Sequence, residues 1–210
     1  MLLASLREQV CAAAVRSYRS GLVRGTSGNW SARDPLTGLV AVTPSGLPYE
    51  RMTPDDIVVV NLEGQVVEGG RRPSSELPMH LVIYRRRPDV GGIAHTHSPY
   101  ATALAVLERE LPPVLIEMAL VGTRVPVAPF ATPGTPEVGE AAVAALAEAK
   151  ACLLARHGVV AVGRTVEEAT VTAALVEEMA HIYHLAAQLG TPEPIPAEVM
   201  EALVRKYRGQ

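Results

Sequence analysis

His95 and His97 are separated by one residue at the end of Val90 to His97, a run that reads as a strand. Alternate side chains of a strand share a face, so both imidazoles project together and can chelate one cation. His157, in the turn Arg156-His157-Gly158 between two apolar runs, supplies a third imidazole, and a three-histidine set leaves an open coordination position for a substrate. Spacing alone leaves a second arrangement open, with one histidine in the core and another at the surface. Glu76 adds a carboxylate in Pro73-Ser74-Ser75-Glu76, which is expected to open a helix reaching about Arg87. Serine hydroxyls and free amides at a helix start are a natural seat for phosphate.

Two further turns, Gly25-Thr26-Ser27-Gly28-Asn29 and Thr43-Pro44-Ser45-Gly46, are small and hydroxyl-rich, and their amides could form an anion nest or simply make ordinary turns. Neither has the spacing or the lysine of a nucleotide-binding P-loop. The chain carries 19 basic residues, but only Lys150 and Lys206 are lysines. Covalent imine chemistry needs a lysine desolvated in its pocket. Lys150 ends an alanine-rich run and Lys206 lies in a charged tail, so imine catalysis is not expected.

These residues must be positioned by ordinary elements. Residues 2 to 19 have helical apolar spacing and stop at Gly21. Leu39 to Thr43, Ile57 to Asn61 and Gln65 to Glu68 read as short strands in succession, which favours antiparallel pairing. Tyr100 to Glu108 and Pro136 to Lys150 read as helices, with a short strand at Val125 to Ala128 between them. Ala151 to Ala155 and Val159 to Val162 read as strands flanking His157. Thr165 to Glu168 is a capping box that starts a helix to Leu189, and a last helix runs from Pro196 to about Arg208. The sum is a single α/β domain, residues 1–210, with a central mostly antiparallel sheet covered by helices.

Composition excludes several roles. The sequence is 48% apolar and 20% charged, with a net charge of −3 and pI near 6.1, so it carries no electrostatic footprint for nucleic acid. No apolar run reaches the roughly 18 residues of a membrane span and no signal peptide opens the chain, so a cytoplasmic protein without membrane contact is expected. Cys11 and Cys152 lack metal-site spacing and are expected to be buried thiols. His80, His181 and His184 are read as structural.

Together GTSGN at 25–29, TPSGLPYE at 43–50, PSSE at 73–76, HTHSPYATA at 95–103 and RHG at 156–158 occur in the order found in class II sugar-phosphate aldolases. The chain, from its opening helix to at least Leu189, resembles the L-fuculose-1-phosphate type of that family. The resemblance implies one Zn²⁺ per subunit held by Glu76, His95, His97 and His157, with Glu76 leaving the metal to act as acid and base. It implies phosphate donors at Gly28, Asn29, Ser45, Gly46, Ser74 and Ser75, and a homotetramer with active sites at subunit interfaces. The reaction implied is reversible cleavage of a ketose 1-phosphate to dihydroxyacetone phosphate and a small aldehyde such as L-lactaldehyde. Once Glu76 is off the metal, apolar surroundings are expected to raise its pKa toward that of a useful acid. Where the family keeps a tyrosine for the leaving aldehyde oxygen, this chain has Glu117, expected to move the proton of the C4 hydroxyl. Tyr207 aligns loosely with a family tail tyrosine.

Three related classes compete. Pentulose-phosphate 4-epimerases resemble this pattern but tend to have Asp where this chain has Glu76. Methylthioribulose-phosphate dehydratases share a glutamate near position 117 but lack the PSSE glutamate. The adducin head domain is a structural module with no need of an intact zinc set.

Overall fold

The computed structural model describes residues 1–208, so the last two residues of the expected domain lie outside the described residues. Eight strands form one sheet: β1 (Asn29–Arg33), β2 (Val40–Val42), β3 (Val58–Val60), β4 (Val66–Glu68), β5 (Gly92–Thr96), β6 (Val127–Ala128), β7 (Ala151–Leu154) and β8 (Gly158–Gly163). Their order is β4-β3-β2-β1-β5-β8-β7-β6. Every neighbouring pair is antiparallel except β6 with β7. The helices are α1 (Ala4–Arg19), α2 (Leu77–Arg86), α3 (Pro99–Val106), α4 (Pro136–Leu146), α5 (Val166–Leu189) and α6 (Ala197–Arg208).

Alternation along the strands divides the core between two faces. Val159 and Ala161 of β8 join α1 and α5 residues such as Val10, Ala14, Ala169 and Val176. Val160 and Val162 of the same strand join Met79 and Ile83 of α2 and Val138 and Ala142 of α4. Because both faces are covered, β7 and β8 are apolar throughout, which is why the runs around His157 lack a polar alternate. His95 stands two residues after Ile93 and therefore emerges on the α2 face. Cys11 and Cys152 are both buried free thiols, one in each core, as expected.

Several boundaries differ from the sequence reading. The strand Asn29–Arg33 was not expected, because its Asn, Ser and Arg read as turn; Ser31 is nevertheless fully buried. The helix after PSSE begins only at Leu77, and Glu76 occupies its N-cap, because Ser74 is bound to the neighbouring 43–45 turn through its amide and Thr43 O. The alanine-rich helix stops at Leu146 rather than Lys150: Ala147 adopts φ 44° and the Lys150 amide donates to Val121 O at 2.8 Å. At the start of α5 the Thr165 hydroxyl accepts from the Glu168 amide at 3.1 Å, as expected. The Glu168 carboxylate, however, accepts from the Arg164 amide instead of that of Thr165.

The helices α2 and α4 approach closely at Gly139, where an added Cβ would sit 2.5 Å from Val82 Cβ. Alanine in a helix normally gains about 1 kcal/mol over glycine. Overpacking against a rigid β-branched carbon costs about 1–3 kcal/mol and wins. Gly139→Ala is expected to lower stability by about 1–2 kcal/mol, read as an earlier urea midpoint; a later midpoint would contradict this packing.

Candidate active site

Four side chains from three separate parts of the chain converge at one end of the sheet. Glu76 caps α2, His95 is the penultimate residue of β5, His97 lies just beyond that strand, and His157 occupies the β7–β8 hairpin turn. Their nearest donor atoms all lie within 4.8 Å of one another. Glu76 Oε2 is 2.9 Å from His95 Nε2, and Oε1 is 3.0 Å from His157 Nε2. His95 Nε2 and His97 Nε2 are 2.9 Å apart.

The tautomer of His95 follows from its other nitrogen. Nδ1 lies 2.8 Å from the Val159 carbonyl, which can only accept, so Nδ1 carries the proton and Nε2 presents a lone pair to the cluster. A lone pair aimed at a carboxylate oxygen and at a second imidazole nitrogen is repulsive unless a cation lies among them. The donor set, three imidazoles and one carboxylate, is one that divalent transition metals accept. The outer bond from His95 to Val159 orients the ring as such a ligand requires. The residues therefore fit a divalent metal.

Burial pushes the Glu76 carboxyl up; where protons rather than a metal ion sit between it and the rings, hydrogen bonds from His157 and His95, the His95 charge and the Asn29 amide together outweigh burial and hold Glu76 well below the usual carboxylate range. Burial lowers His97 to about 4, with the charges of His95 and His157 adding to it.

Beside the cluster is a cleft of about 400 Å³. All six residues named for phosphate, Gly28, Asn29, Ser45, Gly46, Ser74 and Ser75, line it together with Glu76, His97 and His157. Two backbone bonds join its walls: the Ser45 amide donates to Arg72 O and the Ser74 amide to Thr43 O, each at 3.0 Å. Gly28 has φ 82°, and an added Cβ would meet His95 O at 2.7 Å, so only glycine lets this turn lie against β5. Tyr49, buried among the core aromatics, places its hydroxyl 2.9 and 2.8 Å from the carbonyls of Ser27 and Gly28 and supports the turn from behind. Arg156 adopts φ 56° next to His157; its amide donates to Ala105 O at 2.9 Å and its guanidinium pairs with Glu108 at 2.7 Å. Those contacts offset a left-handed conformation that costs about 1–2 kcal/mol.

Other residues fall elsewhere. Glu117 is exposed on the short 3₁₀ turn Ile116–Leu120 and does not line the cleft of its own chain. Neither lysine lines it, which leaves imine chemistry without a nucleophile. His181 stacks on Tyr100 at 3.9 Å on α5, and His184 is 5.5 Å from the same ring. Tyr207 lies on α6, beside Lys206. Pro133 and Gly134 line the cleft without having been read from the sequence, where they look like an ordinary loop.

His80 is fully buried, as a structural reading expects, but it also belongs to the site. Its Nε2 is 2.6 Å from Asn29 Oδ1, and Asn29 Nδ2 donates to Glu76 Oε2 at 2.9 Å. The signal was its position four residues after Glu76, on the same face of the helix.

The family sequence model for the class II aldolase and adducin N-terminal domain matches residues 8–184. A 5-deoxy-D-ribulose 1-phosphate aldolase of Bacillus thuringiensis serovar kurstaki is 43% identical over 209 residues, covering 100% of this chain and 98% of its own. A 5-methylthioribulose-1-phosphate/5-deoxyribulose-1-phosphate aldolase of Rhodospirillum rubrum is 42% identical, over 97% of this chain and 91% of its own. The solved structure of an L-fuculose 1-phosphate aldolase superposes with a TM-score of 0.95 at 38% identity, covering 99% of this chain and 98% of that one. The chain belongs to the class II aldolase and adducin N-terminal domain family. Within that family it is an enzyme of the class II aldolase type.

Burial lowers the His80 pKa from 6.5 to about 3, the nearby His95 charge adding to it. Between those values the unfolded chain binds a proton that the folded chain does not, so stability falls as pH drops from 6.5 toward about 3. One such proton contributes a slope of up to about 1.4 kcal/mol per pH unit. His80→Gln, which cannot titrate, is expected to lose less stability between about pH 7 and about pH 4.5 in urea unfolding. An equal loss in both proteins would contradict the buried neutral imidazole.

Proposed function

We propose that this chain catalyses the metal-dependent, reversible aldol cleavage of a 5-deoxyketopentose 1-phosphate to dihydroxyacetone phosphate and acetaldehyde. The observation that carries the reading is the set of Glu76, His95, His97 and His157 beside a cleft lined by six small or hydroxyl-bearing residues. The aldolases of B. thuringiensis and R. rubrum named above support the pentulose. L-Fuculose 1-phosphate, cleaved to L-lactaldehyde, is the second reading, supported by the solved fuculose 1-phosphate aldolase.

In this reading the phosphate sits against the turns at Gly28, Ser45, Gly46, Ser74 and Ser75, with the second amide hydrogen of Asn29 also available to it. That leaves the sugar carbons at the histidine cluster. A divalent ion, taken here as one Zn²⁺ per subunit, would be held by His95, His97, His157 and Glu76, and would supply Lewis-acid stabilisation for the negative charge that develops at the C2 oxygen. As the C3–C4 bond breaks, the C4 hydroxyl loses its proton and the bond's electron pair moves toward C3 and the C2 carbonyl. Glu76 delivers a proton to C3, and removes it in the condensation direction. Beside the histidines the carboxylate stays ionised; once away from them, burial raises its proton affinity toward what proton transfer at C3 needs.

Glu117 takes the C4 hydroxyl proton in this reading. Since it lies outside its own chain's cleft, it serves the cleft of a neighbouring subunit in a homotetramer. The enzyme works as a cytoplasmic protein without nucleic-acid or membrane partners; among the described residues no helix is long and apolar enough to cross a membrane.

The test is release of dihydroxyacetone phosphate from 5-deoxyribulose 1-phosphate and from L-fuculose 1-phosphate. Faster release from the pentulose is expected, with Glu76→Gln about 10²–10⁴-fold slower; near wild-type turnover of that variant would sink the assignment. Glu76→Gln and Glu117→Gln subunits mixed at equal amounts should regain about a quarter of wild-type sites, because each site draws the two residues from different chains. No recovery on mixing would remove Glu117 from the neighbouring site.

A further inference from the structure

A carboxylate can only accept hydrogen bonds, so the Asn29 nitrogen, 2.9 Å from Glu76 Oε2, faces Glu76 and the Asn29 oxygen faces away. That oxygen lies 2.6 Å from His80 Nε2 and can also only accept, so Nε2 carries the imidazole proton. His80 Nδ1 is then a lone pair, and Ser31 Oγ, 2.6 Å away, donates to it. The Tyr84 hydroxyl, 2.8 Å from Ser31 Oγ, donates in turn. Four hydrogen bonds therefore run in one sense, from Tyr84 through Ser31, His80 and Asn29 to Glu76.

All four residues behind Glu76 are buried, His80 and Ser31 completely, so no solvent can substitute for a missing member. A core filler at position 80 would need the shape of the ring but not its polarity. Here both ring nitrogens are committed, and one of them decides how Asn29 stands.

We propose that His80 is a positioning residue, whose Nε2–H fixes which end of the Asn29 carboxamide faces Glu76 and so fixes the bearing of that carboxylate on the histidine cluster. The proposal rests on the aldolase reading, in which the bearing of Glu76 sets the rate. Without the donor at position 80, the Asn29 amide can turn its oxygen toward Glu76. Two acceptors would then face each other and drive the carboxylate from its place. Displacement of a reacting group by about 1 Å costs about 10²-fold in rate.

Two measurements test this on the zinc-loaded protein. Two-bond proton–nitrogen spectra of the histidine rings should show His80, assigned by its loss in His80→Gln, as the Nε2–H tautomer from about pH 5.5 to about pH 8.5. An Nδ1–H tautomer or an imidazolium in that range overturns the proposal. In parallel, His80→Phe keeps the bulk without a donor, whereas His80→Gln can return an amide N–H toward Asn29. For folded variants, kcat should fall at least about 30-fold in His80→Phe with KM within about threefold, and His80→Gln should recover at least about tenfold of that loss. Equal losses in the two variants overturn the positioning role. A zinc-loaded wild type that cleaves neither ketose phosphate overturns the aldolase reading and this role with it, whereas an active wild type with the wrong tautomer overturns this role alone.

Discussion

Four ligand atoms turned toward one another within 4.8 Å are the constraint on which the rest of this molecule depends. With no positive charge among them, the lone pair of His95 Nε2 and the Glu76 carboxylate repel. The sheet brings them together nonetheless, and each is held by a different device. His95 is fixed by a bond from its far nitrogen to Val159, within the β5–β8 pairing. His157 sits in a hairpin turn whose neighbour, Arg156, accepts a left-handed backbone. Glu76 is held by the N-terminus of α2 and by Asn29. Buried polar groups, Asn29, Ser31, Ser74, His80 and His95 among them, are therefore gathered where cation chemistry would repay their burial.

The cleft beside the cluster depends on the same framework. The turns at Gly28, Ser45 and Ser74 are far apart in sequence, and they adjoin because β1 lies between β2 and β5. Backbone bonds between Thr43–Ser45 and Arg72–Ser74 then join two of the turns, and Tyr49 supports the third. A small anion held by amides and hydroxyls would sit within one sugar's length of the histidines. That adjacency is what turns an anion nest and a histidine cluster into a site for a phosphorylated sugar.

The apolar runs, capping residues and Gly or Pro stops made most elements legible in the sequence, including the long helix α5 and the hairpin around His157. The histidine cluster and the three small, hydroxyl-rich turns beside it were legible too, as ordered segments rather than as isolated residues. The strand Asn29–Arg33 was not, since Ser31 and Asn29 are polar and buried for the sake of His80 and Glu76, a tertiary reason no local pattern carries. The end of α4 was hidden for a similar cause, the pairing of Lys150 with Val121. His80 was read as a core residue, which it is, while its link to Asn29 depended on β1 lying beneath α2.

The account stands or falls on whether the four side chains bind a divalent cation together. The direct measurement is a calorimetric titration of chelator-stripped protein with Zn²⁺, alongside His157→Ala and Glu76→Gln. The account predicts one ion per chain and an affinity weakened at least about tenfold in His157→Ala. Stripped protein that stays folded and takes up no ion, or binds it equally well without His157, would contradict it.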